Sequence, residues 1–107
     1  MADALTGTGY AITTTDAAVV TAGAGETITL IGLTIANIHA SASSWVTANI
    51  VRSGGVDSEI GHEISIPIHD SLDLLQGKVV LNTGDALWLD GEINSGLEAS
   101  VSYLVQT

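Results

Sequence analysis

Three histidines, His39, His62 and His69, are the side chains here that titrate near neutrality unaided, so acid–base or metal chemistry would begin with them. His69 stands with Asp70, Ser71 and Asp73 in the best polar cluster of the sequence. Such a set offers an imidazole base beside a carboxylate, or two carboxylates for a cation. Calcium, however, takes roughly six to eight oxygens at defined positions, and the Asp-x-Asp-x-Asp-Gly run that supplies them is missing. A solvated turn is the stronger reading. His62-Glu63 and His69-Asp70 place imidazole next to carboxylate, yet successive residues of a regular strand face opposite sides, so neither pair converges. His62 falls in phase with Ile60, Ile64, Ile66 and Ile68, which predicts a hydrogen-bonded core or interface histidine rather than a base. Asp85 with Asp90-Gly91-Glu92 forms a second acidic stretch, read as a charged, solvated turn.

The motifs of nucleotide and acyl chemistry are missing. Gly7-Thr8-Gly9 and Gly23-Ala24-Gly25 begin a dinucleotide fingerprint, but Ile12 and Ile28 stand where its third glycine belongs and no helix is expected to follow, so both read as turns. Gly77-Lys78 lacks the rest of a P-loop, no Gly-x-Ser-x-Gly elbow occurs, and nothing marks one serine as activated. Lys78 reads as a solvated charge at a strand end. The expectation is a protein that is not an enzyme and holds no cofactor and no metal. Aromatic residues are few: Tyr10, Trp45, Trp88 and Tyr103 fall short of the stacking platforms typical of a carbohydrate-binding module. Trp88 is out of phase with Leu87 and Leu89, so it lies either in a second layer or on a patch that a partner covers. Trp45 is out of phase with Val46, Ala48 and Ile50 and raises the same question.

The elements that position these residues read as strands. Apolar residues recur at spacing two, Thr, Val and Ile are abundant, and Gly, Ser, Asn or Asp clusters interrupt them at short intervals. Strands are predicted at Gly9–Thr14, Ala17–Ala22, Glu26–Asn37, Trp45–Arg52, Glu59–His69, Ser71–Leu75, Val79–Leu81, Ala86–Asp90 and Leu97–Val105. Pro67 cannot donate to a ladder, so its strand lies at an edge or ends there. In Glu26–Asn37 the apolar phase switches: Ile28 and Leu30 share one face, then Ile31, Leu33 and Ile35 take the other. A β-bulge near Gly32, or a strand passing between sheets there, accounts for the step. Ile64, Ile66, Val101 and Tyr103 are the predicted core. The segment 38–44 reads as an exposed loop, and Met1–Thr8, whose one large internal apolar residue is Leu5, as a short arm. The expected fold is all-β: one domain over residues 1–107, an antiparallel, jelly-roll-like β-sandwich of about eight to nine short strands.

Composition bounds the partners. With 107 residues, 46% of them apolar, the chain can bury one core without staples. It has no cysteine, so disulfide frameworks and thiolate metal sites are excluded. Twelve acidic residues oppose two basic ones, Arg52 and Lys78, for a formal charge of -10, which disfavours nucleic acid and anionic lipid as partners. No signal peptide and no membrane-spanning stretch is expected.

The succession of blocks in this short chain resembles the small all-β virion proteins of tailed bacteriophages that decorate or cement the capsid. The blocks are Thr21-Ala22-Gly23-Ala24-Gly25-Glu26-Thr27 leading into Ile28–Asn37, then Asn49–Gly55, Ile66-Pro67, Ser71–Leu75, Gly77–Leu81, Thr83-Gly84-Asp85 and Val101–Leu104. The resemblance covers residues 17–107. It implies a non-enzymatic protein on the outer surface of a phage head that binds the major capsid protein at capsomer junctions as a homo-oligomer, a trimer. Leu5, Trp45 and Trp88 are then the candidate interface residues. Similar proteins also occur in necks and tails, so the alternative is a neck, tail or fibre domain that binds a receptor or glycan.

Overall fold

A computed structural model of the chain describes residues 3–38, 42–75, 77–94 and 96–107. Among them are nine strands: β1 (Asp3–Ile12), β2 (Ala17–Thr21), β3 (Thr27–Asn37), β4 (Ser44–Val51), β5 (Ser58–Ile66), β6 (Ser71–Asp73), β7 (Val79–Leu81), β8 (Ala86–Gly91) and β9 (Leu97–Gln106). A five-stranded sheet runs β1-β9-β3-β6, with β7 also pairing β3, and a four-stranded sheet runs β2-β8-β4-β5. Every pairing is antiparallel. β6 and β7 pair with opposite ends of β3, at Thr34–Ala36 and Ile28–Leu30. Taken together they fill one edge position, and the strand order becomes that of a jelly roll, two Greek keys wound into two facing sheets. The expected all-β sandwich is the fold observed.

Alternation builds the layers. Along β4 the residues Ser44, Val46, Ala48 and Ile50 are buried while Trp45, Thr47, Asn49 and Val51 are half-exposed, because side chains of a strand point to opposite faces in turn. Leu97, Ala99 and Val101 do the same on β9. Of the predicted core, Ile66 and Val101 are fully buried, and Ile64 and Tyr103 pack against the core from partly buried positions.

The step predicted near Gly32 is a bulge. The β3–β9 register pairs Leu30 with Tyr103 and then Gly32 with Ser102, leaving Ile31 as the extra residue. Ile28, Leu30, Leu33 and Ile35 are therefore all buried, and β3 stays within one sheet. Ile31 points outward, 42% exposed, rather than joining Leu33 and Ile35.

Two expectations about strands need correction. The N-terminal segment expected as an arm is, from Asp3 onward, the outer half of β1, paired residue by residue with β9 from Asp3↔Gln106 to Ile12↔Leu97. Its glycines, which suggest turns, sit in a regular ladder. The strand around Pro67 ends at Ile66, and its phase is broken by two register shifts against β4, between Val46 and Ala48 and between Ala48 and Asn49. Glu63 adopts φ 48° at the first of them. His62 is thereby turned out of the core to solvent, and Ile68, past the proline, is 37% exposed. The predicted 38–44 loop lies in part outside the described residues. Ile38, Ala42 and Ser43 are exposed, and Ser44 is buried at the start of β4.

Candidate interaction surface

The two outer faces of the sandwich differ in chemistry. On the five-stranded sheet the registers align Leu5, Leu104, Thr29 and Val80 in one cross-strand row. Leu5 is 78% exposed and Val80 45%, and Ile31 lies beside the row, put there by the bulge. The next rows are Gly7–Ser102–Gly32, Gly9–Ser100–Thr34–Asp73 and Ala11–Glu98–Ala36–Ser71. From Ala4 to Ile12, from Thr27 to Asn37 and from Ala99 to Gln106 no residue is charged. Charge on this face is confined to its margins: Asp3 at the start of β1, Glu98 near the start of β9 and Asp73 on the short edge strand β6. Short side chains leave two shallow grooves, one of about 330 Å³ bounded by Leu5, Gly7 and Ile31, and one of about 420 Å³ over Gly9, Ala36 and Ser100.

The four-stranded sheet presents the opposite character. Trp88 sits between Ala18 and Asn49, Asp90 opposite Thr47, and Trp45 opposite Ser65. Both tryptophans are half-buried on this outer face. The Trp45 N–H donates to Glu92 Oε1 at 3.1 Å, and the Glu63 N–H donates to Thr47 Oγ1 at 2.9 Å. His62 Nδ1 lies 2.7 Å from Glu59 Oε2, and Nε2 3.7 Å from Glu63 Oε1. The hydrogen bond and charge of Glu59 raise the His62 pKa above its ordinary 6.5. Asp90 is raised by partial burial first, then by the charges of Asp16, Glu59 and Glu63. This face is acidic, with two aromatic residues set into it.

The remaining sequence candidates resolve into structure. His69 has φ 61° in a turn closed by the Asp70 N–H donating to Pro67 O at 3.1 Å. Asp70 Oδ1 accepts from the Ser71 N–H, and Asp73 Oδ1 from the N–H groups of Leu33 and Leu75, so both carboxylates serve backbone. Among the described residues no group of three or more His, Cys, Asp or Glu is placed to hold a metal. Asp85 corrects the reading of a solvated turn, because it is 4% exposed and apart from Asp90, which belongs to β8. Its Oδ2 accepts from Arg52 Nη1 at 2.9 Å and from the Asn82 N–H, and its Oδ1 from the Ser53 N–H at 3.0 Å. Those donors, Ser53 first and then Arg52, hold its carboxyl below the usual range. Arg52 Nη1 also reaches Val80 O at 2.6 Å. The result ties the β4–β5 loop to the β7–β8 turn. In that turn Gly84, at φ 91°, leaves no room for a Cβ, which would lie 2.7 Å from Ser53 Oγ. A cleft of about 770 Å³ adjoins this staple and contains both basic residues, Arg52 and Lys78.

Leu5, Trp45 and Trp88 are not brought together: Leu5 lies on the neutral face and the tryptophans on the acidic one. The neutral face was the feature missed in the sequence. Its signal is the outward phase of Gly7, Gly9 and Ala11 and of Ser100 and Ser102, which becomes a surface only once β1, β9 and β3 are known to be neighbours. No family model matches the chain, nor does any curated protein or solved structure.

Proposed function

We propose that the chain is a non-enzymatic structural protein of a tailed-phage virion that decorates the outer surface of the head, binding the major capsid protein at capsomer junctions. The jelly roll is host to many functions and carries no weight by itself. The supporting observation is the contrast between the two outer faces. A broad sheet face whose centre holds Gly, Ala, Ser, Thr and a few aliphatics, with carboxylates only at its margins, meets another protein closely while stripping little water from charges, and charge is depleted at the cores of interfaces. The acidic face then points to solvent, where it keeps the particle soluble and repels nucleic acid, favouring the outside of the shell over its lining. Contacts of modest strength suffice, because a repetitive shell multiplies them. The block resemblance adds a homo-oligomer, a trimer, to this proposal. Light scattering of the purified protein with and without empty capsids of its phage tests it. Co-sedimentation with the shells is expected, and a monomer that ignores them overturns it.

A second reading has one observation in its favour. Trp88 beside Asn49, with Asp90 two residues on, pairs an aromatic surface with hydrogen-bonding side chains, as a receptor- or glycan-binding tail, neck or fibre domain requires. Glycan-array binding that is lost in Trp88→Ala would support that role over decoration.

A further inference from the structure

Five strands form or border the edges of the two sheets, and four of them are blunted. β6 and β7 have three residues each, and β7 is preceded by the exposed Lys78. β2 has five residues and a register shift against β8. β5 carries Glu59, His62 and Glu63, contains two register shifts and is followed by Pro67. Shortness, charge, irregularity and proline are the means by which natural sheets prevent strand addition. β1 has none of them beyond its first residue, Asp3. It is ten residues long, its ladder with β9 is continuous, and no charge occurs between Ala4 and Ile12. Among the described residues no strand pairs its other side.

We infer that β1 is an open edge for a second copy of this chain, whose own β1 adds to it antiparallel about a twofold axis. The edge is self-complementary in length, since the same ten residues meet on both sides. Charge selects the direction. Antiparallel pairing sends the two Asp3 carboxylates to opposite ends of the joined strands, whereas parallel pairing in register sets them side by side. Side-chain shape agrees with this. In a pairing centred on Gly7, Leu5 of each copy lies across from Gly9 of the other, and the outer face above Gly9 is open space. The twofold axis stands perpendicular to the sheet, so two five-stranded sheets become one with both neutral faces on the same side. This contact does not depend on the decoration reading.

Because the chain has no cysteine, single-cysteine variants give an unambiguous test. Thr6→Cys, Gly7→Cys, Thr8→Cys and Gly9→Cys are oxidised in separate samples, with Ser100→Cys on β9 as the control for face-to-face stacking. Cross-linked dimer is expected to peak at one or two adjacent β1 positions and to be absent at Ser100→Cys. Sedimentation of the wild type is expected to give an even number of chains, two, or six if a threefold contact also forms. Thr8→Pro and Gly9→Pro separate fold from assembly, because adjacent N–H groups of a strand point to opposite sides. One of the two interrupts the β9 ladder. The other, melting like wild type, is expected to halve the mass. A wild-type mass of one or three chains, or cross-linking strongest at Ser100→Cys, overturns the inference, and a trimer of that kind would leave the decoration reading standing.

Discussion

Arg52 and Asp85, thirty-three residues apart in sequence, meet at 2.9 Å between Nη1 and Oδ2, and the same carboxylate closes two backbone N–H groups of neighbouring loops. The pair joins the end of β4 to the start of β8, its neighbour in the four-stranded sheet, and Arg52 Nη1 reaches the other sheet at Val80 O of β7. Because the Asp85 carboxyl is held below its unfolded value, its contribution to stability is present above the ordinary carboxylate range and is lost as pH falls through the folded-state pKa. Asp85→Asn should melt below wild type at neutral pH, with a shallower further loss on acidification. Thermal unfolding across an acid pH series checks this, and parallel acid slopes for the two proteins would contradict it.

His62 titrates in the opposite sense. Its folded pKa lies above the ordinary 6.5, so the Glu59 contact stabilises at pH below that value and fades as pH rises through the raised folded value. Both partners are exposed, and the effect on melting should be slight. The readout is the imidazole itself: in an NMR titration His62 should have its midpoint above that of a free histidine, and Glu59→Gln should bring it down. An unchanged midpoint would mean that the contact does not persist in solution.

Ile66 is fully buried at the last position of β5, just before Pro67 ends the strand. Ile66→Ala should cost ~2 to 5 kcal/mol in denaturant unfolding, as large-to-small changes in closed cores do. A loss within experimental error would place the inward phase of this strand wrongly.

The bulge at Ile31 makes an unusual deletion tolerable. Without Ile31, β3 runs in step with β9, and Ile28, Leu30, Leu33 and Ile35 still face the core. Deleting Thr34 instead turns Ile35, fully buried in the native chain, outward. Circular dichroism melts should show the first protein folded and the second severely destabilised. Equal damage from the two deletions would contradict the assigned bulge.

Local patterns carried the strands in the sequence, and non-local pairing carried the rest. Apart from the first half of β1, the strands were visible as short apolar or alternating runs between turn signals, and the Ile31 bulge was visible because it switches the phase of isoleucines and leucines on either side. The jelly-roll order was not visible, because nothing in β1 states that β9 is its neighbour. His62 was misplaced because the two irregularities in β5 absorb residues that a strict period of two counts as strand, with only Gly61 to hint at them. Asp85 read as solvated because its cation is remote in sequence. The glycines of β1 read as turns until a continuous ladder explained them. The neutral face combines both limits: each strand shows its outward residues, but a surface exists only after the strands are ordered.

Docking through the neutral face is tested most directly by placing charge on it. Ser100 and Ser102 lie outward at the centre of that face, on β9. Empty capsids of the phage should pellet the wild type and a Glu59→Gln/Glu63→Gln variant of the acidic face alike, and leave Ser100→Glu/Ser102→Glu, folded by circular dichroism, in the supernatant. A folded Ser100→Glu/Ser102→Glu protein that pellets undiminished, or a wild type that never pellets, would contradict docking through this face.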